Sequence, residues 1–187
     1  MNIVERAKRL CLSPEAEWAV IAGEPATLSG LITGYALPLA AISAIGSLLG
    51  TMVLGLGIGF ALQAAIIGLV MSMIGVVILS VIIDALAPTF GAAKSSTSAA
   101  KVAAYAPTAA WVAGIFQIIP FVGTLIALIG AFYSLYLLYL GLMHVMKSPQ
   151  DKAIAYTVVV VLIAIVAGFA ASFIVATIGL GPSIGLV

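Results

Sequence analysis

The chain has 187 residues, of which 64% are hydrophobic and only 7% are charged, and its mean hydropathy is +1.34. A soluble domain carries about 25% charged residues, so this chain cannot cover its own surface with polar side chains. Several stretches exceed the roughly 18 apolar residues that mark a membrane-spanning helix, and none alternates as β-barrel strands do. The composition therefore predicts an all-α, polytopic membrane protein.

The charge balance and the reactive residues argue against several function classes. A net charge of +1 indicates no basic patch of the kind that binds nucleic acid. One cysteine and one histidine, Cys11 and His144, leave no basis for a disulfide framework or a conventional zinc site. No HExxH, Walker or dinucleotide glycine motif occurs, nor a nucleophile elbow. We therefore predict no enzymatic activity, no cofactor and no metal site.

Residues 1–27 form a predicted cytoplasmic or interfacial segment, with seven charges and no signal-peptide apolar run. Residues 2–12 predict an amphipathic helix, which can lie on an anionic membrane surface or pack as a short helix under the bundle. Ser13-Pro14 predicts a second helix that ends at Gly23-Glu24-Pro25, and Thr27 can cap the next one. The apolar side of the first helix contains Ile3, Val4, Ala7, Leu10 and Cys11, and the polar side contains Glu5, Arg6, Lys8 and Arg9.

The remaining apolar stretches predict five transmembrane helices over residues 28–178, followed by a short tail, residues 179–187. The spans cover about residues 28–49, 58–83, 102–119, 124–146 and 154–178. Pro38 should kink the first span. The third span is short and contains Pro107, which we interpret as a kinked ordinary span, with a broken or re-entrant helix as the alternative.

Small residues recur at every fourth position on two of the spans. They are Ala64, Gly68 and Ser72 on the second span, and Ala164, Gly168 and Ser172 on the fifth. In lipid such faces let helix backbones approach closely. We predict that they pack within the monomer, with a homo-oligomer as the alternative.

Orientation follows from the basic residues. With five spans, all of them fall on the side of the N-terminus, which the positive-inside rule makes cytoplasmic; the C-terminus then lies outside. These residues are Arg6, Lys8, Arg9, Lys94, Lys101, Lys147 and Lys152.

The polar segment between spans two and three holds the candidate functional or partner-binding residues. Asp84 should lie near the cytoplasmic headgroups, solvated or paired with Lys94 or Lys101, because about 20 residues from Gly59 use up the hydrocarbon layer. A carboxylate there favours a structural or partner-binding role over ion coupling. The full candidate set is Asp84, Pro88, Lys94, Lys101, Tyr105 and Pro107.

Four further polar side chains are candidates inside the membrane. Gln63 and Gln117 fall near the outer ends of their spans and can form an interhelical hydrogen bond or line a small vestibule. Tyr133 and Tyr136 lie on one stripe of the fourth span, which favours packing over a polar cavity.

Four stretches of the chain resemble a known family; they read SPEAEWAVIAGEPAT, IIDALAPTFG, KVAAYAPTAAWVAGIFQIIPFVG and LYLLYLGL. They are similar to the bacterial branch of the YIP (Ypt-interacting protein) family of five-span membrane proteins, over roughly Val4 to Ile178. The resemblance implies a cytoplasmic N-terminus and, for a bacterial member, the inner membrane. Eukaryotic relatives are associated with Rab-type GTPases and membrane traffic. Their D-L-Y-G-P motif is absent here, and Tyr105 with Pro107 is only a loose counterpart of their G-Y region.

Two functions follow as hypotheses. The first is a non-enzymatic membrane scaffold that sits in the lipid bilayer and binds a protein partner on a charged cytoplasmic face. The alternative is a channel or transporter for a small solute or ion, with a polar path near the spans that contain proline.

Overall fold

A computed structural model describes residues 2–177, and within them all regular structure is helical. The predicted tail lies outside the described residues. Nine α-helices follow one another: α1 (Ile3–Leu12), α2 (Pro14–Gly23), α3 (Leu28–Leu31), α4 (Leu37–Val53), α5 (Ile58–Leu86), α6 (Ser96–Tyr105), α7 (Thr108–Gly114), α8 (Val122–His144) and α9 (Gln150–Thr177). A π-helical turn, Ile32–Ala36, joins α3 to α4, and 3₁₀ turns, Ala87–Phe90 and Ile115–Ile118, follow α5 and α7.

Four helical stretches among the described residues are long and apolar enough to cross a membrane. They correspond to predicted spans one, two, four and five, which confirms the prediction of an all-α membrane protein. The predicted third span forms no continuous helix. The four stretches are Leu28–Val53, Ile58–Phe90, Val122–His144 and Gln150–Thr177.

The first two helices fold back on each other across a single residue, Ser13. Pro14 and two acidic residues start α2, as predicted, although the Ser13 side chain forms no capping hydrogen bond. α1 packs against α2 and α7, and its Ala7 and Leu10 are buried. The second interpretation of this segment, a short helix packed against the bundle, therefore describes it.

The first spanning stretch contains the irregularity predicted at its proline. The Thr27 hydroxyl oxygen caps α3 by accepting a hydrogen bond from the Gly30 amide at 3.2 Å, as predicted. The π-helical turn Ile32–Ala36 then lies just upstream of Pro38. Because proline has no N–H, it interrupts the regular hydrogen-bond ladder, and a wider turn accommodates the interruption.

The segment from Ser96 to Ile118 is a broken helix, so our interpretation of a kinked ordinary span is wrong. α6 ends at Tyr105, and a turn at Ala106 and Pro107 separates it from α7. The Thr108 hydroxyl donates to the Tyr105 carbonyl at 2.6 Å, so a side chain satisfies a carbonyl at the C-terminal end of α6.

This broken segment lies at the centre of the bundle. α6 packs against α5, and α7 packs between α4 and α8. Every residue from 99 to 106 is buried, and most of them are alanine. Small side chains let the neighbouring helices approach on all sides of the segment.

Glycines on α4 and α8 set the closest of these approaches. A Cβ atom at Gly46 or Gly50 would overlap the backbone carbonyl of Gly114 or Gln117. On the opposite side, a Cβ atom at Gly130 would lie 2.7 Å from the Ala109 carbonyl oxygen. The broken segment is therefore held between two glycine-lined helix faces, as close packing in lipid requires.

By contrast, α9 packs only through its first half. Its buried residues are Ala153, Tyr156 and Val160, and the Tyr156 hydroxyl donates to the Ile83 carbonyl. No atom lies within 4 Å of a Cβ built at Gly168, or at Gly68 on α5. Neither glycine therefore forms the predicted close contact, because the tight crossings lie around the broken segment. The predicted packing within the monomer does hold for Ser72 on α5, whose hydroxyl oxygen accepts a hydrogen bond from Trp111 Nε1 at 3.0 Å.

Candidate functional site

Three connections that are distant in sequence meet at one end of the bundle, which we call the polar end. The three parts are the helix pair α1–α2, the connection of residues 91–95 and the connection of residues 145–149. The Ala93 amide donates to the Met146 carbonyl at 3.2 Å, and Lys101 Nζ donates to the Ala22 carbonyl at 3.1 Å. These contacts bring most of the candidate residues onto one face.

A buried arginine joins α1 to both ends of α2. Arg6 Nη2 donates to both carboxylate oxygens of Glu24 at 2.6 Å, and Arg6 Nη1 lies 2.8 Å from Glu17 Oε1 in an ion pair outside hydrogen-bond angles. Arg6 is 5% exposed and Glu17 is 2% exposed. Burial alone would lower the pKa of the Arg6 guanidinium, but the hydrogen bond to Glu24 and the surrounding negative charges raise it.

This cluster corrects the predicted polar face of α1. Helical periodicity placed Arg6 with the exposed Glu5, Lys8 and Arg9, whereas Arg6 points inward. Two carboxylates from α2 and its end neutralise the guanidinium, and paired charges can be buried where isolated ones cannot. The spacing of acidic residues in SPEAEWAVIAGEP is the only sequence signal that could have indicated the pairing.

Aromatic rings pack against this cluster. The Arg6 guanidinium carbon lies 5.6 Å from the centroid of the Tyr105 ring, a cation–π contact. The centroid of the Tyr105 ring lies 6.3 Å from that of Trp18, in an edge-on contact, and 4.5 Å from that of Tyr35, in a tilted contact. Trp18 is fully buried over Gly141, where a Cβ would come within 2.9 Å of its ring. These contacts fix the position of Tyr105.

A cavity of about 470 Å³ opens beside this cluster, and we call it the Lys101 cavity. It lies between the α2–α3 connection and α6. Its polar lining residues are Glu24, Thr27, Lys101 and Tyr105. Lys101 is 5% exposed, and it shares the lining of this cavity with the Glu24 carboxylate.

A second cavity of about 380 Å³, the Asp84 cavity, lies on another side of α6. It contains the predicted residues Asp84 and Lys94, together with Ser96 and Thr97 at the start of α6. Asp84 forms no ion pair with Lys94 or Lys101 among the described residues, and its Oδ1 atom is buried without a hydrogen-bond partner there. The predicted pairing is absent because Lys101 turns away from Asp84 toward Ala22.

A third feature of the polar end is exposed, and we call it the loop surface. It contains Lys94, Lys147, Asp151 and Lys152, all of them exposed. Lys147 adopts a positive φ of 54°, a conformation uncommon for residues other than glycine. The candidate Pro88 is also exposed, in the 3₁₀ turn after α5, whereas Pro107 lies in the break between α6 and α7.

The four intramembrane candidates do not form one site, although the Tyr133 and Tyr136 rings pack edge-on with centroids 5.7 Å apart. Gln63 is half-buried on α5, and Gln117 lines a cavity of about 270 Å³ between α4, α5 and α7. The Tyr133 hydroxyl donates to the Cys11 carbonyl at 2.9 Å and so ties α8 to α1, while Tyr136 is 42% exposed. The packing role predicted for the tyrosine stripe thus holds for Tyr133.

Within residues 2–177, no group of three or more His, Cys, Asp or Glu side chains is placed to hold a metal ion. The arrangement is one of paired charges, buried donors and open cavities, which suits binding.

Comparison with known proteins identifies a family. The family model described as Yip1 domain matches residues 8–172, a range that contains α2 to α8, most of α9 and both cavities of the polar end. No curated protein and no solved structure matches the chain.

Proposed function

The chain belongs to the Yip1 domain family, and we propose that it is a non-enzymatic membrane scaffold whose polar end binds a protein partner. The observation that carries this proposal is the loop surface. It is assembled from two connections about 50 residues apart, which the hydrogen bond from Ala93 to Met146 joins. Exposed charges that are brought together in this way form a platform next to the membrane.

The charge of the loop surface indicates the chemistry of the partner. Three lysines and one aspartate give it a net charge of +2 (three positive minus one negative). An acidic segment of a protein would complement that charge, and complementary fields speed encounter and select partners. Lys147 is held in a conformation that costs free energy for a residue with a side chain, as recognition residues often are.

We further propose that the chain crosses the membrane five times, with its N-terminus and loop surface in the cytoplasm and its C-terminus outside. The broken segment supplies the fifth crossing. Its two helices and its 3₁₀ turn contain 10, 7 and 4 residues, which laid end to end give about 34 Å, enough for a hydrocarbon layer of about 30 Å. The Lys101 side chain of α6 reaches Ala22 at the polar end, and the last turn of the segment contacts Gly50, near the far end of α4.

The same proposal places the protein in the bacterial inner membrane. All seven basic residues then lie on the cytoplasmic side, as the positive-inside rule expects. With four crossings, the basic residues before the first span and those between the last two spans would fall on opposite sides.

Cysteine labelling tests the topology. In a Cys11→Ser background, Leu56→Cys should react with an impermeant thiol reagent added to intact cells, since Leu56 lies between α4 and α5. Ser96→Cys and Gln150→Cys should react only after the cells are opened. Labelling of the Ser96 variant from outside would overturn the five-span arrangement.

The alternative of a channel or transporter is not favoured. A conducting path along the proline-containing spans would have to follow the broken segment. There the backbones of Gly46 and Gly114 approach closely enough that a single added methyl group would overlap.

Site-specific photocrosslinking tests the partner proposal. A photoreactive amino acid at Lys94 or Asp151 should capture the same protein, and the combined changes Lys147→Glu and Lys152→Glu should abolish that capture. The same probe at Leu56, at the opposite end of the bundle, is the matched control. Capture of the same products at Leu56, or of no protein at either loop position, would contradict the proposal.

A further inference from the structure

The Lys101 cavity contains a cation whose hydrogen-bonding capacity is mostly unused. Its ammonium group has three N–H donors. One donates to the Ala22 carbonyl, and no other partner is present among the described residues. Glu24 forms no ion pair with Lys101 among the described residues; its carboxylate accepts from Arg6 and keeps lone pairs for a further donor. A buried ammonium group with two free donors needs an acceptor.

A second free donor faces the same cavity. The Tyr105 hydroxyl forms no hydrogen bond with any described residue, although Trp18, Tyr35 and Arg6 fix its ring. Lys101 and Tyr105 lie four positions apart on α6 and therefore on one face of that helix. Together they offer an ammonium group and a hydroxyl group to one acceptor, an arrangement suited to a phosphate.

Charge balance narrows the class of ligand. The ion-pair cluster beside the cavity contains two arginines and three glutamates, Arg6, Arg9, Glu5, Glu17 and Glu24, whose charges sum to zero with that of Lys101. A phosphate monoanion would leave a net charge of −1 in a half-enclosed site, whereas a zwitterion would keep it neutral. Glu24 lines the cavity with a side chain 40% exposed, so a ligand ammonium group can reach it.

The position of the cavity indicates where such a ligand comes from. Its walls include Thr27 and Gly30, at the point where the chain enters the first spanning stretch, and α6, at the start of the broken segment. Lipid headgroups are present at this depth. A volume of about 470 Å³ is of the size that small-molecule sites have.

We propose that the Lys101 cavity binds the phosphoethanolamine headgroup of a phospholipid. Lys101 and Tyr105 donate to the phosphate, and Glu24 accepts from the ammonium group. This inference does not rest on the protein partner proposed above, because the loop surface contains neither Lys101 nor Tyr105.

The test is a binding titration of the full chain in a mild detergent, by native mass spectrometry and calorimetry. The probes are short-chain phosphatidylethanolamine, short-chain phosphatidylglycerol, glycerophosphoethanolamine and inorganic phosphate. We expect phosphatidylethanolamine to bind at least tenfold tighter than the other three. Tighter or equal binding of phosphatidylglycerol would overturn the zwitterionic headgroup, and equal binding of glycerophosphoethanolamine or phosphate would overturn a lipid source.

Two variants assign the binding to this cavity. Tyr105→Phe keeps the ring and removes only a hydroxyl without a protein partner, so it should fold normally and bind about three- to tenfold more weakly. Lys101→Met keeps the side-chain length, removes the charge and should weaken binding at least tenfold. The matched control, Lys94→Met, changes an exposed lysine outside this cavity and should bind as the natural chain does.

The tyrosine variant also separates this inference from a purely structural role of Lys101, which caps the C-terminal end of α2 through Ala22. If Lys101→Met does not fold, Tyr105→Phe alone decides. Unchanged affinity in Tyr105→Phe, or equal affinity in Lys101→Met and Lys94→Met, would overturn the proposal.

Discussion

The broken segment, residues 96–118, and α9 are opposites in how they use hydrophobic sequence. α9 is one uninterrupted helix of 28 residues, and only 6% of the residues in its most apolar 18-residue stretch are buried. The broken segment is interrupted once by a turn, changes once from α-helix to 3₁₀ helix within 23 residues, and is buried along most of α6 and α7. The more regular and more apolar of the two is therefore the more exposed.

This difference arises because the solvent around the helices is lipid. In lipid, large apolar side chains lose nothing by facing outward, so no hydrophobic drive brings helices together. Side chains such as Val166, Phe169 and Phe173 on α9 are accordingly 68–73% exposed. The centre is instead built from alanine, glycine and hydrogen-bonding groups, which permit close backbone contact. Substitutions in the two regions should therefore have opposite consequences, and the following predictions test that comparison.

Gly50→Leu should have the largest effect. A Cβ at Gly50 overlaps the Gln117 carbonyl, and backbone cannot move aside as a side-chain rotamer can. We expect destabilisation by more than about 3 kcal/mol, seen as loss of monodisperse protein after extraction. Leu49→Met, at an exposed neighbouring position, is the control. Natural yield and melting temperature in Gly50→Leu would show that the bundle is loose around the broken segment.

Arg6→Ala should come next. It leaves the buried Glu17 carboxylate with only the distant Arg9 guanidinium at 3.9 Å, and breaking a buried pair costs about 3–5 kcal/mol. The melting temperature in detergent measures the effect. The control is Arg9→Ala, whose pair with Glu5 is about half exposed and contributes under about 1 kcal/mol. Equal shifts for the two variants would contradict a buried cluster.

Tyr156→Phe should cost less, about 0.6–1.5 kcal/mol. It removes the hydrogen bond to the Ile83 carbonyl that anchors the first half of α9, and hydrogen bonds between membrane helices have modest net values. Because α9 has few other buried residues, protease cleavage near residue 150 should increase. Tyr136→Phe, on an exposed part of α8, should change neither stability nor cleavage.

Gly168→Leu should have the smallest effect on the monomer, within about 0.5 kcal/mol. No atom lies within 4 Å of a Cβ built at Gly168, so a larger side chain there has room and should face lipid. Yield and melting temperature should match those of the natural chain. Measured by light scattering, a loss of dimer with an intact monomer would show that this face of α9 pairs with a second copy.

The sequence alone predicted the features that depend on composition and local chemistry. The all-α membrane class follows from apolar length, the start of α2 from Ser13-Pro14, and the cap of α3 from Thr27, because each depends on neighbouring residues. The irregularities near Pro38 and Pro107 were also predictable, since proline lacks an N–H wherever it occurs. The kind of irregularity, a π-helical turn in one case and a full break in the other, was not.

Tertiary structure alone decided which small residues pack and which charges are buried. Gly68 matched the close-packing pattern as well as Gly46 and Gly50 do, yet only the latter pair comes against the backbone of the broken segment. Ser72, on the same face as Gly68, meets that segment through a hydrogen bond from the Trp111 side chain. Helical periodicity placed Arg6 on the exposed face of α1, and only the fold-back of α2 brought Glu17 and Glu24 around it. A sequence pattern states what a helix face can do, whereas its partner depends on contacts between residues far apart in the chain. In lipid, where hydrophobicity does not separate inside from outside, those contacts alone define the core.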